Sequence, residues 1–211
     1  MLVTIYQNKK MVYTGYTNAK TEEEIIKEFT GETLPTTHQG TTLRSGDVVV
    51  VEETAEGDIR EGTYAYTNGV LAFFPANVRD YEPMDGVRCI MMQPGMPAVV
   101  TRIRSTLKEL QRAVSDHGEP SLIEYSFPYP DECMVLGNEE AKLINMPMNR
   151  YMNGEIYCGP IYIVKDDNYG NLKDLTEGDI EAYMDRDEEC RNISERHIDA
   201  SPYLKYFGYF E

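Results

Sequence analysis

The first sixteen positions hold two short runs of mixed apolar and polar residues, 2–7 and 11–16, that read as strands. A helix is predicted from Thr21 to Phe29, with glutamates in its first turn and Ile25, Ile26 and Phe29 as its apolar face. After a polar, threonine-rich stretch from Thr33 to Ser45, the run Asp47-Val48-Val49-Val50-Val51-Glu52 is β-branched and too short for a helix, which suits a central strand. Thr63–Thr67 and Val70–Phe74 flank Asn68-Gly69, the strongest local hairpin signal in the chain. The first unit is therefore expected to be a small, β-rich α+β module.

The turn-prone Glu82-Pro83-Met84-Asp85-Gly86 closes that unit. Strands are predicted at Val87–Met92 and Ala98–Ile103, joined through Gln93-Pro94-Gly95, then a helix from Thr106. Thr106 and Glu109 have capping-box spacing, and Leu107, Leu110 and Val114 fall on one face. Further strands are predicted at Leu122–Phe127, Cys133–Leu136 and Ile161–Val164. A last helix starts at Thr176, where Asp179 completes a second capping box and Ile180, Tyr183 and Met184 form the inner stripe. The expected fold is α+β, with two small mixed modules in tandem and mostly antiparallel sheets; a single fused sheet is the alternative. The modules are placed at residues 1–86 and 87–190, followed by an aromatic tail at 191–211 that either docks on its own domain or binds a partner.

Charge changes this picture most. Over 211 residues, 36 acids oppose 20 Lys and Arg, for a formal net charge of −16. Divided at Gly86, the balance is 7 − 14 = −7 for the first unit and 13 − 22 = −9 for the remainder. Asp166 to Glu189 alone holds ten acids against Lys173 and Arg186, a local −8. Such a field repels nucleic acid and anionic membranes and attracts basic surfaces, including the phosphate-binding clefts of other proteins. The alternative is a solvated face of the last helix and its flanks. No run approaches the roughly 18 apolar residues a membrane span needs, and the opening residues have no signal-peptide layout, so a cytoplasmic location is expected.

Candidate chemistry is sparse. Cys89, Cys133, Cys158 and Cys190 are widely spaced and form no Cys-x-x-Cys pair, which suggests buried free thiols. Asp166-Asp167-Asn168-Tyr169-Gly170-Asn171, with Asp174 and Glu177 at positions nine and twelve, imitates a calcium loop. Gly at position five and Asn at six reverse what that turn needs, so no metal is assigned. His38, His117 and His197 lie in polar contexts with no nucleophile elbow nearby, and no phosphate-binding glycine loop is present. Neither catalytic residues nor a cofactor are expected. Glu139, Glu140, Lys142, Asn149 and Arg150 surround an apolar stretch. Either Asn149 and Arg150 present donors to a ligand, or they tie the loop to its own sheet through carbonyls and carboxylates.

Two stretches carry a resemblance. Gly40-Thr41-Thr42-Leu43-Arg44-Ser45-Gly46-Asp47 running into the valine strand, then Gly62-Thr63-Tyr64-Ala65-Tyr66, resembles the YodL-like domain over roughly the first 85 residues. Thr42 and Gly46 stand where that domain usually has Ser. Ser105–Gln111, Asn138–Leu143, Pro147–Arg150, Gly159–Val164 and Leu175–Glu177 resemble an uncharacterised domain family of phages and conjugative elements, over about 87–188. Ala141 and Pro160 depart from its usual Gly and Thr. The resemblance implies an accessory protein of a bacterial mobile element, of the kind encoded beside counter-defence genes. Together with the charge it leads to an expected non-enzymatic inhibitor, of anti-CRISPR or antirestriction type. Its partner would be a basic nucleic-acid-binding host protein such as a CRISPR effector or restriction nuclease, contacted through Asp166, Asp167, Asp174, Glu177, Asp179, Glu181 and Asp185. A regulatory small-ligand module using Asn149 and Arg150, and a metal-dependent enzyme using the Asp166–Glu177 loop, are the alternatives.

Overall fold

The computed structural model describes residues 1–31, 41–54, 59–79, 81–115, 120–126, 133–152, 154–167, 169–194 and 197–198. It divides into two compact units, Met1–Asp85 and Gly86–Glu211.

In the first unit, β1 (Leu2–Gln7), β2 (Lys10–Tyr16), β3 (Val48–Glu52), β4 (Gly62–Thr67) and β5 (Val70–Phe73) form one antiparallel sheet in the order β2-β1-β3-β4-β5. Side chains alternate across it, so register decides what is buried. Val3 opposes Val51 and Ile5 opposes Val49, and all four face the core with Tyr64 and Leu71. On the opposite face Thr4 and Thr14 join hydroxyls at 2.9 Å. Helix α1 (Glu22–Thr30) starts at Thr21, whose hydroxyl accepts from the Glu24 N–H, and buries Ile25 and Phe29 in the same core. Asn68 (φ 48°) and Gly69 (φ 88°) supply the left-handed pair that a two-residue hairpin turn demands.

In the second unit, β6 (Val87–Met92), β7 (Val99–Ile103), β8 (Ile123–Ser126), β9 (Cys133–Asn138) and β12 (Ile161–Asp166) form an antiparallel sheet ordered β7-β6-β12-β9-β8, with β13 (Leu172–Lys173) added beside β12. A separate hairpin, β10 (Met148–Met152) and β11 (Glu155–Cys158), was not predicted from the sequence. Ile90, Met92, Val135, Ile161 and Ile163 share one face of the sheet. Met152 and Tyr157 from the hairpin, and Leu175, Ile180 and Tyr183 from the segment around α3 (Glu177–Met184), pack on that face. The short α4 (Asp187–Arg191) follows.

Helix α2 (Leu107–Ala113) departs from expectation in two respects. Its buried face is Leu110, Ala113 and Val114, whereas Leu107 opens the helix and is 62% exposed. Thr106 is the N-cap, but its hydroxyl meets Glu109 Oε2 (3.0 Å) instead of the backbone, and Arg104 holds the other oxygen of that carboxylate, Oε1, at 2.6 Å. Phe127, His38, His117 and the aromatic stretch from Tyr203 to Phe210 lie outside the described residues. Among the described residues no helix is long and apolar enough to cross a membrane.

Candidate functional site

The acidic run divides into two populations once folded. Thr176 and Asp179 form the predicted capping box: the Thr176 hydroxyl accepts from the Asp179 N–H (3.2 Å), and Asp179 Oδ2 accepts from the Thr176 N–H (2.9 Å). The other carboxylate oxygen of Asp179 meets Lys165 Nζ at 3.0 Å. Asp174 accepts from the Arg88 backbone N–H at 2.7 Å and pairs with Arg102 Nη2 at 3.2 Å. Glu177 takes both terminal nitrogens of Arg88. Asp187, buried at the start of α4, holds Arg150 and Arg191. Five cations from outside the run are thereby committed to four of its acids, so the local balance becomes −8 + 5 = −3.

These contacts also hold the Asp174, Glu177 and Asp179 carboxyls below their usual range. For Asp174 the chief cause is the Arg88 N–H, and for Glu177 the Arg88 guanidinium. Burial pushes Asp179 upward, but the Thr176 and Lys165 hydrogen bonds together outweigh it. Asp167 closes a local turn, accepting from the Asn171 side chain (3.0 Å) and from the Tyr169 and Asn171 N–H groups. Asp166 is half-buried. Glu181, Asp185, Glu188 and Glu189 are exposed along α3 and α4. Asp174 and Glu177, the ninth and twelfth positions of the calcium-like loop, are therefore spent on arginines. Among the described residues no group of three or more His, Cys, Asp or Glu side chains could hold a metal ion.

Asn149 and Arg150 sit inside β10, 2% and 0% exposed. Asn149 donates to the carbonyls of Met92 (2.8 Å) and Gly159 (2.6 Å). Arg150 donates through Nε to Asp187 Oδ1 (2.8 Å), through Nη1 to Asn149 Oδ1 (2.6 Å) and through Nη2 to the Met96 carbonyl (2.6 Å). Burial lowers the Arg150 value and Asp187 opposes that, but an arginine starts so high that it remains charged. The pair thus ties hairpin, sheet and α4 together, and its donors point inward. The thiols offer no nucleophile in an open setting: all four are buried, and burial pushes Cys89 and Cys190 up. His197 is stacked on Tyr151, ring centroids 3.8 Å apart, and its Nδ1 accepts from the Ser194 N–H.

A pocket of about 440 Å³ lies between the β8–β9 edge, the turn after β9 and the β10–β11 hairpin. Register explains its floor. Glu124 of β8 opposes Gly137 of β9, and Ile161 of β12 continues the row, so the one residue without a side chain stands at its centre. Ala141, Ile156 and Cys158 make apolar walls. Glu124, Glu139 and Glu155 are charged members of the lining, with Lys142 paired to Glu155. The Glu124 carboxyl is held above the usual range, first by partial burial, then by Glu139 and Glu155, against the pull of Lys142. Tyr157, its hydroxyl beside Ser126, is likewise pushed up chiefly by burial. The sequence singles out Glu139 and Lys142 but not the pocket. The available signal was Gly137 inside an otherwise apolar strand, a residue that often marks close approach of another group.

No curated protein and no solved structure matches this chain. A DUF3846 domain, a domain of unknown function, covers residues 87–188, from the first residue of β6 into α4.

Proposed function

We propose that this protein is a non-enzymatic binding protein that engages a basic, nucleic-acid-processing host protein and blocks it. The setting is counter-defence in a bacterial mobile element, and the partner class is a CRISPR effector or restriction nuclease. The resemblance of the first 85 residues to YodL-like domains, and of 87–188 to a family of phages and conjugative elements, supports that setting. The observation that carries the reading is the second acid population: Glu181, Asp185, Glu188 and Glu189 remain exposed on α3 and α4 while Arg88, Arg102, Arg150, Lys165 and Arg191 are spent on their neighbours. Exposed carboxylates spaced along a surface can stand where phosphates would stand in a basic channel. This moves the contact set away from Asp174, Glu177 and Asp179, whose loss would disturb the fold.

The test is competition. The protein is added to a nuclease or guide-bound effector recovered with it from host lysate, and cleavage of the cognate DNA is followed. Wild type inhibits, and inhibition falls as salt rises. The variant Glu181→Gln/Asp185→Asn/Glu188→Gln/Glu189→Gln remains folded by circular dichroism and inhibits at least about fourfold less, since each of four exposed pairs contributes about 0.2–1 kcal/mol. Full inhibition by that folded variant would sink the proposal.

A further inference from the structure

We propose that the pocket beside Gly137 binds an organic cation, an ammonium or guanidinium head carried on a short aliphatic stem. This goes beyond the reading above, because it involves other residues and a different kind of ligand.

Three observations converge. The cavity, about 440 Å³, falls in the range of about 300–1,000 Å³ typical of small-molecule sites. Its space exists because β9 has no side chain where it crosses the floor. A Cβ on Gly137 would meet only Ile161 Cγ2, at 3.6 Å, an ordinary contact. A strand-interior glycine weakens a sheet and is expected where something must approach closely. Here the backbone conformation does not call for glycine, so the space itself is the feature to explain.

The charge of the rim selects the ligand. Glu124, Glu139 and Glu155 face Lys142, a balance of 1 − 3 = −2, and Lys142 is paired with Glu155. An anion would be repelled. The carboxylates do not converge on a point, since no metal-holding group exists among the described residues. An elongated cation suits the arrangement better than an ion: its head meets Glu124 and Glu139 at the rim, and its stem lies along Gly137, Ile161 and Ile156. Glu124 has the most to gain, because its exposed carboxylate at the pocket mouth lies beside two like charges.

The full-length protein is titrated with n-hexylammonium, n-hexylguanidinium, n-hexanol and hexanoate, and amide NMR shifts are followed at Gly137, Glu124 and Ile156. The cations bind with saturable shifts at these positions, and the neutral and anionic analogues bind at least tenfold more weakly. Glu124→Gln weakens the cations about tenfold or more and leaves hexanol unchanged. Gly137→Leu fills the floor and removes binding; Gly137→Ala, which makes only the ordinary contact, keeps the fold and weakens binding partially. Affinity falls as pH drops through the raised Glu124 value, with Glu139, Glu155, Lys142 and Tyr157 as the other titratable groups facing it. A peptide with a single lysine distinguishes the source of the cation: shifts at the same amides at lower concentration than hexylammonium assign the head to a protein side chain, and weaker ones assign it to a free molecule. Equal binding of hexanol and hexylammonium, or binding indifferent to Glu124→Gln in a folded protein, would overturn the proposal.

Discussion

Asp187→Asn is the most incisive single change for the architecture of the second unit. It keeps the size of the side chain and removes one charge from a site where Arg150 has no solvent contact and Asp187 has 7% side-chain exposure. Asp187 Oδ1 holds Arg150 Nε at 2.8 Å, and Oδ2 accepts the Ala98 N–H at 2.9 Å and lies 3.1 Å from Arg191 Nε. Taking one partner from a buried pair strands the other charge, at a cost of about 3–5 kcal/mol. The carbonyls of Asn149 and Met96 still face the guanidinium, and an amide oxygen can replace one carboxylate contact, so the lower end, about 3 kcal/mol, is expected. With a urea slope of about 1–3 kcal/mol per molar, the midpoint of the second unit falls by roughly 1–3 M. Two units make a single optical transition ambiguous, so hydrogen exchange across a urea series is the assay. The Ala98 amide and the β9 and β12 strands report on the affected unit, with β1 and β3 as the internal reference. Asp185→Asn, exposed and nearby, is the control and shifts nothing beyond about 0.5 kcal/mol. If the two variants lose protection at the same urea concentration, Arg150 is not held as a buried pair and the reasoning fails.

Two further outcomes follow from local geometry. Gly46 and Gly86 both have left-handed backbones, φ 99° and 110°, but a Cβ on Gly46 meets open space whereas one on Gly86 would lie 2.2 Å from the Ile103 carbonyl oxygen. Gly46→Ala costs about 1 kcal/mol and Gly86→Ala clearly more, since backbone must move; equal costs in urea unfolding would refute this. Asp179 has a lowered native value, so its stabilisation is complete above the ordinary carboxylate range and lost as pH falls through the native value. Asp179→Asn therefore costs about 1 kcal/mol near neutrality, and wild type and variant converge in acid; a gap that persists at low pH contradicts the assignment.

The parts of the fold legible in the sequence are those whose causes are local. The β-branched run of β3, the Asn68-Gly69 turn and the Thr176–Asp179 cap each contain their own explanation within a few residues. The β10–β11 hairpin does not. Asn149-Arg150 reads as a polar loop because the groups that satisfy it, Met92 and Asp187, lie 57 and 37 residues away. The same holds for the acidic run: Glu177 and Asp174 look free until Arg88 and Arg102, 89 and 72 residues distant, are brought to them by β6 and β7. The pocket shows a third kind of difficulty, since it consists of a missing side chain and is defined only when β8, β9 and β12 are in register.

Charge that is neutralised across the fold also decides how the two proposed surfaces can be told apart. A cation approaching Glu177 or Asp174 must displace Arg88 or Arg102, so little net attraction is gained there. At Glu181, Asp185, Glu188 and Glu189 the carboxylates are hydrated and exposed. Attraction to them is long-ranged at low salt and screened over a Debye length of about 8 Å at physiological ionic strength. The Glu124 carboxyl is exposed too, but its ligand carries a single charge and also gains by covering apolar wall, a contribution that salt does not screen. Raising salt should therefore weaken the macromolecular interaction steeply and cation binding in the pocket only mildly. A variant at one surface should leave the salt response of the other unchanged, because the two acid sets share no residue.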